Sequence, residues 1–260
     1  MICAGIDAGS RAIKAVLMSP ETREIIGSGM VDQGVHQAKL ALELDQDILK
    51  QNNLSYDDVG FTVATGYGRS AITRADKAVT EITCQARGVR SVLDDVRTII
   101  EIGGQDSKVI CIGEDGNVQD FQMNDRCAAG TGRFLEMVAG RLDVSMAEFG
   151  QLAVTSDSAT IISSMCAVFA ETEIIGLLAE GEEPNHIAAG VQAAVASRIV
   201  SLCGTSPQEP IAFAGGVALI PGMDQALSET LNCKVEVCRN PQMSGATGAA
   251  ILACMYYGMK

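Results

Sequence analysis

Two stretches of the chain, GIDAGSRAIK (residues 5–14) and EIGGQDSK (residues 101–108), repeat one small pattern. Each has an acidic residue ahead of a glycine turn and a lysine beyond it. The first offers Asp7, then Gly9-Ser10, then Lys14; the second offers Glu101, then Gly103-Gly104-Gln105, then Lys108. Glycine lets backbone N–H groups come close to a ligand, and a concave set of such amides binds anions. A carboxylate beside the turn can hold Mg²⁺ through water, as magnesium is usually held next to phosphates. Lys14 adds positive charge. These residue types therefore point to a phosphorylated ligand with magnesium. Two further glycine pairs, Gly215-Gly216 and Gly245/Gly248, extend the set. A tight hairpin accounts for any one such turn, but four of them, two with an acid in the repeated position, favour the phosphate reading. Neither GxxxxGK[ST] nor a GxGxxG opening a helix after the first strand is present.

Sulfur carries a second possible chemistry. The nine cysteines are Cys3, Cys84, Cys111, Cys127, Cys166, Cys203, Cys233, Cys238 and Cys254. Their odd number, their scatter and the absence of CxxC argue against a disulfide framework or a one-chain zinc site. The two histidines, His36 and His186, stand apart from any cysteine pair. Taken singly, each cysteine reads as a small buried apolar residue. Two stand at helix entrances. Cys127, in MNDRCAAGTGRFLEM, precedes a glycine-rich helix start, and Cys166 follows Ser163-Ser164, which offers an N-cap. Helix N-termini stabilise thiolates and negative charge.

The elements that must position these residues alternate between strand and helix. CAGIDAGSRAIKAVLM reads as a hairpin, EIIGSGMV as a third strand, QAKLALELDQDILKQNN as a helix and GFTVATGYG as a strand. A helix is expected from Ser70 to about Val92. RTIIEIGGQDSKVICI then restarts the hairpin, NVQDFQMND supplies another third strand, and helices follow from about Ala128, Met146 and Ala167. GVQAAVASRIVSLCG is helical, PIAFAGGVAL is strand-to-turn, and a final helix follows NPQMSG. This is a duplicated β-β-β-α-β-α unit. The expected halves are residues 1–96 with the helix at about 245–260, and residues 97–244, facing one another across a cleft. Reading the glycines by eye sets Ile6-Asp7-Ala8-Gly9-Ser10 against Glu101-Ile102-Gly103-Gly104-Gln105.

A chain of 260 residues with 47% apolar and 20% charged residues can bury a substantial core, mostly aliphatic because aromatics are only 4%. The net charge of −13 disfavours nucleic acid and anionic membranes as partners, since phosphate backbones require clustered Lys and Arg. No apolar run is expected to span a bilayer, and MICAGIDAGS has no signal-peptide pattern, so a cytoplasmic location is expected.

Longer motifs add a resemblance. GIDAGSRAIKAVL, IEIGGQDSKVI and AFAGGVALIPGM are similar to the phosphate-1, phosphate-2 and adenosine motifs of the actin, Hsp70 and sugar-kinase (ASKHA) superfamily. ATGYGR, DKAVTEITCQARG, FQMNDRCAAGTGRFLE and CAVFAETEII resemble the BadF/BadG/BcrA/BcrD-type ATPases, and among them the activator components of 2-hydroxyacyl-CoA dehydratases. The resemblance implies an α/β fold of two ribonuclease-H-like domains with an ATP cleft between them. It implies a homodimer that binds ATP or ADP with Mg²⁺ and carries one [4Fe–4S] cluster between subunits. The cluster ligands at matching positions are Cys127 and Cys166. It further implies ferredoxin or flavodoxin as electron donor, and ATP-driven delivery of the electron to a dehydratase.

Under that reading the phosphates lie at Gly9, Ser10, Arg11, Ala12, Ile13 and Lys14 and at Gly103, Gly104 and Gln105. Adenosine lies against Gly215 and Gly216 and the Gly132-Arg133-Glu136 helix start, and Gly245 is a further cofactor-binding residue. Asp7 and Glu101 organise Mg²⁺ and water, and Gln105 orients the attacking water. Arg11 departs from the small hydroxyl residue of several relatives and puts the phosphate contacts there in question. The alternatives are an electron-transfer subunit of a class I benzoyl-CoA reductase, a small-molecule kinase of the same superfamily, and an actin-type scaffold.

Overall fold

The computed structural model describes residues 1–164, 166–204 and 207–259. Two units divide the chain: Met1–Asp94 together with Gln242–Lys260, and Asp95–Pro241.

In the first unit, β1 (Ile2–Ala8) is buried at every position, as a central strand covered on both faces must be. It pairs antiparallel with β2 (Ala12–Met18), which sets Asp7 opposite Lys14. β3 (Ile25–Asp32) adds antiparallel to β2. Helix α1 (Gln37–Gln51) buries Ala41, Asp45, Ile48 and Leu49, one face at helical spacing. β4 (Val59–Thr65) then runs parallel to β1, and the short β5 (Lys77–Ala78) parallel to β4. The sheet order is β3-β2-β1-β4-β5.

The helix expected from Ser70 to Val92 is shorter: α2 spans Glu81–Arg90. The residues before it are drawn to the sheet instead. Asp76 N–H donates to Thr62 O, Thr62 N–H donates to the Asp76 carboxylate, and Val79 N–H donates to Ala64 O. Thr80 then accepts from Thr83 N–H and starts α2 there.

The second unit repeats this plan. β6 (Thr98–Ile102) is wholly buried; β7 (Ser107–Ile112) pairs antiparallel with it and β8 (Val118–Asn124) with β7. Four helices follow: α3 (Gly132–Arg141), α4 (Met146–Val154), α5 (Ala167–Ala179) and α6 (Pro184–Cys203). β9 (Ile211–Ala214) lies parallel to β6; α7 (Met223–Leu231) leads to β10 (Val235–Val237), parallel to β9. The order β8-β7-β6-β9-β10 matches the first sheet strand for strand and sense for sense. Glu101 faces Lys108 as Asp7 faces Lys14, so pairing aligns Asp7 with Glu101 and Gly9 with Gly103. That corrects the alignment read from the glycines by one residue.

By length and composition α6 is apolar enough to cross a bilayer, contrary to the sequence expectation. Half of it is buried within the unit, with Ile187, Val191, Val195 and Ile199 in the main core.

The last helix, α8 (Ser244–Tyr257), returns to the first unit and packs backbone to backbone through small residues. A Cβ on Gly248 would lie 1.8 Å from Cys84 O, one on Gly88 1.9 Å from Ser244 O, and one on Gly5 2.2 Å from Ala250 N. Gly245 and Gly248 thus lie inside this helix, and the turn expected there is absent.

The coil leading to Cys166 is lashed to the start of α6. Thr160 N–H donates to His186 O at 3.0 Å, and Thr160 Oγ1 donates to Glu182 Oε1 at 2.7 Å. His186 sits between two carboxylates, with Nδ1 3.0 Å from Glu182 Oε1 and Nε2 3.0 Å from Asp157 Oδ1. The hydrogen bond to Glu182 raises the His186 pKa, desolvation opposes it, and the Asp157 contact adds to the rise, so the net shift is upward.

Gly248→Ala should lower Tm by several degrees. The ~1 kcal/mol that alanine gains over glycine in a helix is outweighed by an overpacking cost of ~3 kcal/mol or more against unyielding backbone. A His186→Gln variant should lose Tm chiefly at acidic pH. The folded pKa lies above the ordinary histidine value of 6.5, so the charged clamp is fully present below that value. Its contribution fades as pH rises through the folded pKa. Thermal melts at pH 6 and pH 8.5 read this out; an equal loss at both would show that charge plays no part.

Candidate functional site

In the first unit the site is built around Asp7 at the end of β1. The hairpin closes through Gly9 N–H donating to Ala12 O at 3.1 Å. Lys14 Nζ reaches back to Asp7 Oδ2 at 3.2 Å, and a Cβ on Gly9 would stand 3.0 Å from that ammonium. Two more glycines face the carboxylate. Gly66, at φ +85°, admits no Cβ because Asp7 Oδ1 and Ala8 O would each be 2.5 Å away. A Cβ on Gly245 would lie 3.0 Å from Asp7 Oδ2. Gln85 approaches the same point from α2, its amide oriented by Ser244 Oγ donating to Oε1 at 2.6 Å. Asp7 is buried, with Lys14 partly so, in a pocket walled by backbone.

Arg11 does not enter this pocket. Its side chain is half-exposed and pairs with Asp32 at 3.7 Å, while its carbonyl accepts from Gln33 N–H. Ser10, Ala12 and Ile13 follow the hairpin, Ile13 pointing into the core.

The second unit builds the equivalent site around Glu101. Gly103 N–H donates to Asp106 O at 2.9 Å, as Gly9 does to Ala12. Lys108, 2% exposed, donates to Glu101 Oε2 at 2.6 Å and also to Asp106 Oδ2. A fully buried ammonium needs such partners, because removing a charge from water costs several kcal/mol unless it is paired. Gly215, at φ +88°, stands where Gly66 stands in the first unit; a Cβ there would meet Ile102 O at 2.3 Å and Glu101 Oε1 at 2.8 Å. Gly216 opens a short 3₁₀ turn, and Gln105 is exposed at the hairpin tip.

Two features of the candidate site were missed from the sequence: Gly66 as the counterpart of Gly215, and Asp106 as a second carboxylate on the lysine. The motif ATGYGR, placed after a strand as Gly215-Gly216 is, carried the signal for the first.

The start of α3 docks on the second turn. Gly132 N–H donates to Gly103 O and Arg133 N–H to Gly104 O, both at 2.9 Å. These two helix-start amides are engaged by the turn. The Arg133 guanidinium pairs with Glu136 at 2.9 Å on the helix surface.

Cys127 caps a 3₁₀ turn (Ala128–Gly130) that runs directly into α3. Asn124 grips it twice, its Oδ1 accepting from Cys127 N–H at 3.0 Å and its Nδ2 donating to Cys127 O at 2.8 Å. Cys166 itself occupies the N-cap position of α5, in place of the serine cap expected from the sequence. Ser163 and Ser164 turn instead to Glu173, which accepts from Ser163 N–H at 2.8 Å, Ser163 Oγ at 2.7 Å and Ser164 N–H at 2.9 Å. Slight burial opposes ionisation of Glu173, but these bonds outweigh it and hold its pKa at about 2.

Of the nine cysteines, all free, Cys127 and Cys166 are the two exposed ones. Burial pushes the thiols of Cys84 and Cys238 up to about 12 and that of Cys203 to about 11. Among the described residues, no group of three or more His, Cys, Asp or Glu side chains gathers to hold a metal within one chain. α5 buries little beyond Ala170 and Ile174, leaving Val168 and Phe169 exposed beside Cys166.

Comparison with known proteins identifies relatives of the whole chain. An activator of lactoyl-CoA dehydratase from Anaerotignum propionicum is 40% identical over 254 residues, 97% of each chain. A solved structure described as the activator of the 2-hydroxyisocaproyl-CoA dehydratase from Clostridium difficile with bound ADPNP superposes with a TM-score of 0.93 at 37% identity. It covers 100% of this chain and 96% of its own. A ROK family glucokinase from Streptomyces griseus shares only the fold, at 12% identity and a TM-score of 0.63 over 98% of this chain and 100% of its own. The fold is thus of the ASKHA type. The profile of the BadF/BadG/BcrA/BcrD ATPase family matches residues 4–253. This chain is a member of the BadF/BadG/BcrA/BcrD ATPase family.

Proposed function

We propose that the chain is an ATP-dependent activator of a 2-hydroxyacyl-CoA dehydratase, coupling ATP hydrolysis to one-electron transfer from a [4Fe–4S] cluster shared by two copies. The observation that carries the reading is the exposure of Cys127 and Cys166, each at a helix entrance, against seven cysteines that are buried or half-buried.

These two residues fit the group. A [4Fe–4S] cluster takes four thiolates, and two per chain call for a second copy related by two-fold symmetry. The exposed apolar residues beside Cys166 suit a surface that another protein covers, which would also keep water from the cluster. When bound, the cluster supplies low-potential single-electron transfer. Nine free thiols suit the reducing cytoplasm, with ferredoxin or flavodoxin as donor.

The nucleotide reading assigns the phosphates to the Gly9–Lys14 and Gly103–Gln105 turns. Asp7 and Glu101 each give one oxygen to a lysine and have glycine backbone, at Gly66 and Gly215, close to the other, which suits water-mediated Mg²⁺ beside phosphates. Gln105 at the exposed hairpin tip orients the attacking water, and Gly215-Gly216 with the Arg133 and Glu136 side chains contacts adenosine. Positioning and charge stabilisation carry phosphoryl chemistry, so no covalent nucleophile is required.

Protein purified without oxygen should contain iron and labile sulfide in dimers, and should activate a dehydratase only with ATP. Cys127→Ala and Cys166→Ala should each lose the iron and the brown colour, with nucleotide affinity kept within about twofold because neither residue belongs to the glycine turns. A Cys127→Ala protein that retains its full iron would sink the assignment. In the cluster-free chain, a chromogenic disulfide reagent should titrate these two thiols quickly and the other seven slowly.

A further inference from the structure

Cys127 and Cys166 enter the fold on separate segments, and one side chain touches both. Arg198, on α6, donates from Nη1 to Ala194 O of its own helix at 2.9 Å and from Nη2 to Ser164 O at 3.0 Å. Ser164 is two residues before Cys166, and Glu173 grips its N–H. The stem of the same arginine backs onto the other segment. A Cβ on Gly130, three residues after Cys127, would lie 3.7 Å from Arg198 Cβ and Cδ and 3.4 Å from Asn124 Nδ2, the amide that holds Cys127. The guanidinium stands 6.0 Å from the centre of the buried Phe134 ring, one turn further along.

We propose that Arg198 is a positioning residue that fixes the spacing between Cys127 and Cys166 within one chain. Its functional meaning rests on the reading of those thiols as shared cluster ligands; its structural content does not. Arginine suits the task because its planar fork donates to two carbonyls at once while its stem stays packed. Lysine keeps the charge without the fork, and methionine keeps the packing without either bond.

The test uses the cluster-free full chain, with nitroxide labels on Cys127 and Cys166 and their separation read by pulsed EPR. The unsubstituted protein should give one narrow distance distribution. In Arg198→Met and Arg198→Lys it should become about twice as wide, because backbone released from a fixed contact regains its other wells. Unchanged nucleotide affinity would show that both variants are folded. Should Arg198→Met fail to fold, Arg198→Lys alone decides the matter. With iron loaded, Arg198→Lys should retain iron but show an altered EPR line shape and reduction potential. Distance distributions identical to that of the unsubstituted chain would overturn the proposal. A broadened distribution in a protein that never takes up iron would leave the positioning role standing and remove the cluster reading.

Discussion

A carboxylate buried at the end of a central strand has to be paired, and this chain solves that problem twice in the same way. Asp7 and Glu101 each meet a lysine from the next strand, directly opposite in register. The hairpin between acid and lysine must then be tight, which requires Gly9 and Gly103. The parallel strand on the other side must end in a residue without a side chain, which requires Gly66 and Gly215 at positive φ. Turn length and glycine placement in both units fit the seating of that one ion pair. The halves differ in charge: Lys14 faces Asp7, whereas Lys108 is shared by Glu101 and Asp106.

The second unit joins this polar centre to Cys127 through the backbone. The carbonyls of Gly103 and Gly104 accept the first amides of α3, and five residues earlier in the chain stands Cys127. The other thiol hangs from side chains: Glu173 draws Ser163 and Ser164 onto α5, His186 and Glu182 hold Thr160, and Arg141 pairs with Glu171 across α3 and α5. One cysteine is tied to the glycine turn by main chain and the other by a set of ion pairs and hydrogen bonds.

Much of the fold was legible because the strands are apolar runs broken by glycine, and both hairpins were found from that signal. What failed has a common cause. The sequence marks a glycine without saying whether it opens a turn or admits a neighbouring backbone, and Gly248 is set by Cys84, far away in the chain. The register between the halves needed strand pairing, since glycines alone allow a shift of one residue. The strand signal of Lys77-Ala78 is too short to rise above the helical pattern around it. Of the candidate site, Cys127 and Cys166 were reached as a pair through motif resemblance; their expected places at helix entrances did not by themselves make them ligands. Exposure sets them apart from the other seven, and exposure is a property of the packed chain. Arg198 was invisible for the same reason, as its contacts join segments distant in sequence.

The path of the chain between the units sets an order of assembly. The second unit is one continuous run of residues, complete once β10 has been made. The first unit is interrupted: α8, whose backbone rests on Gly5 and Gly88, follows the whole of the second unit in the chain. Domains usually close in the order in which they leave the ribosome. Here the earlier half must wait, with Cys3 and Cys84 uncovered, until the later half is finished and the final helix arrives.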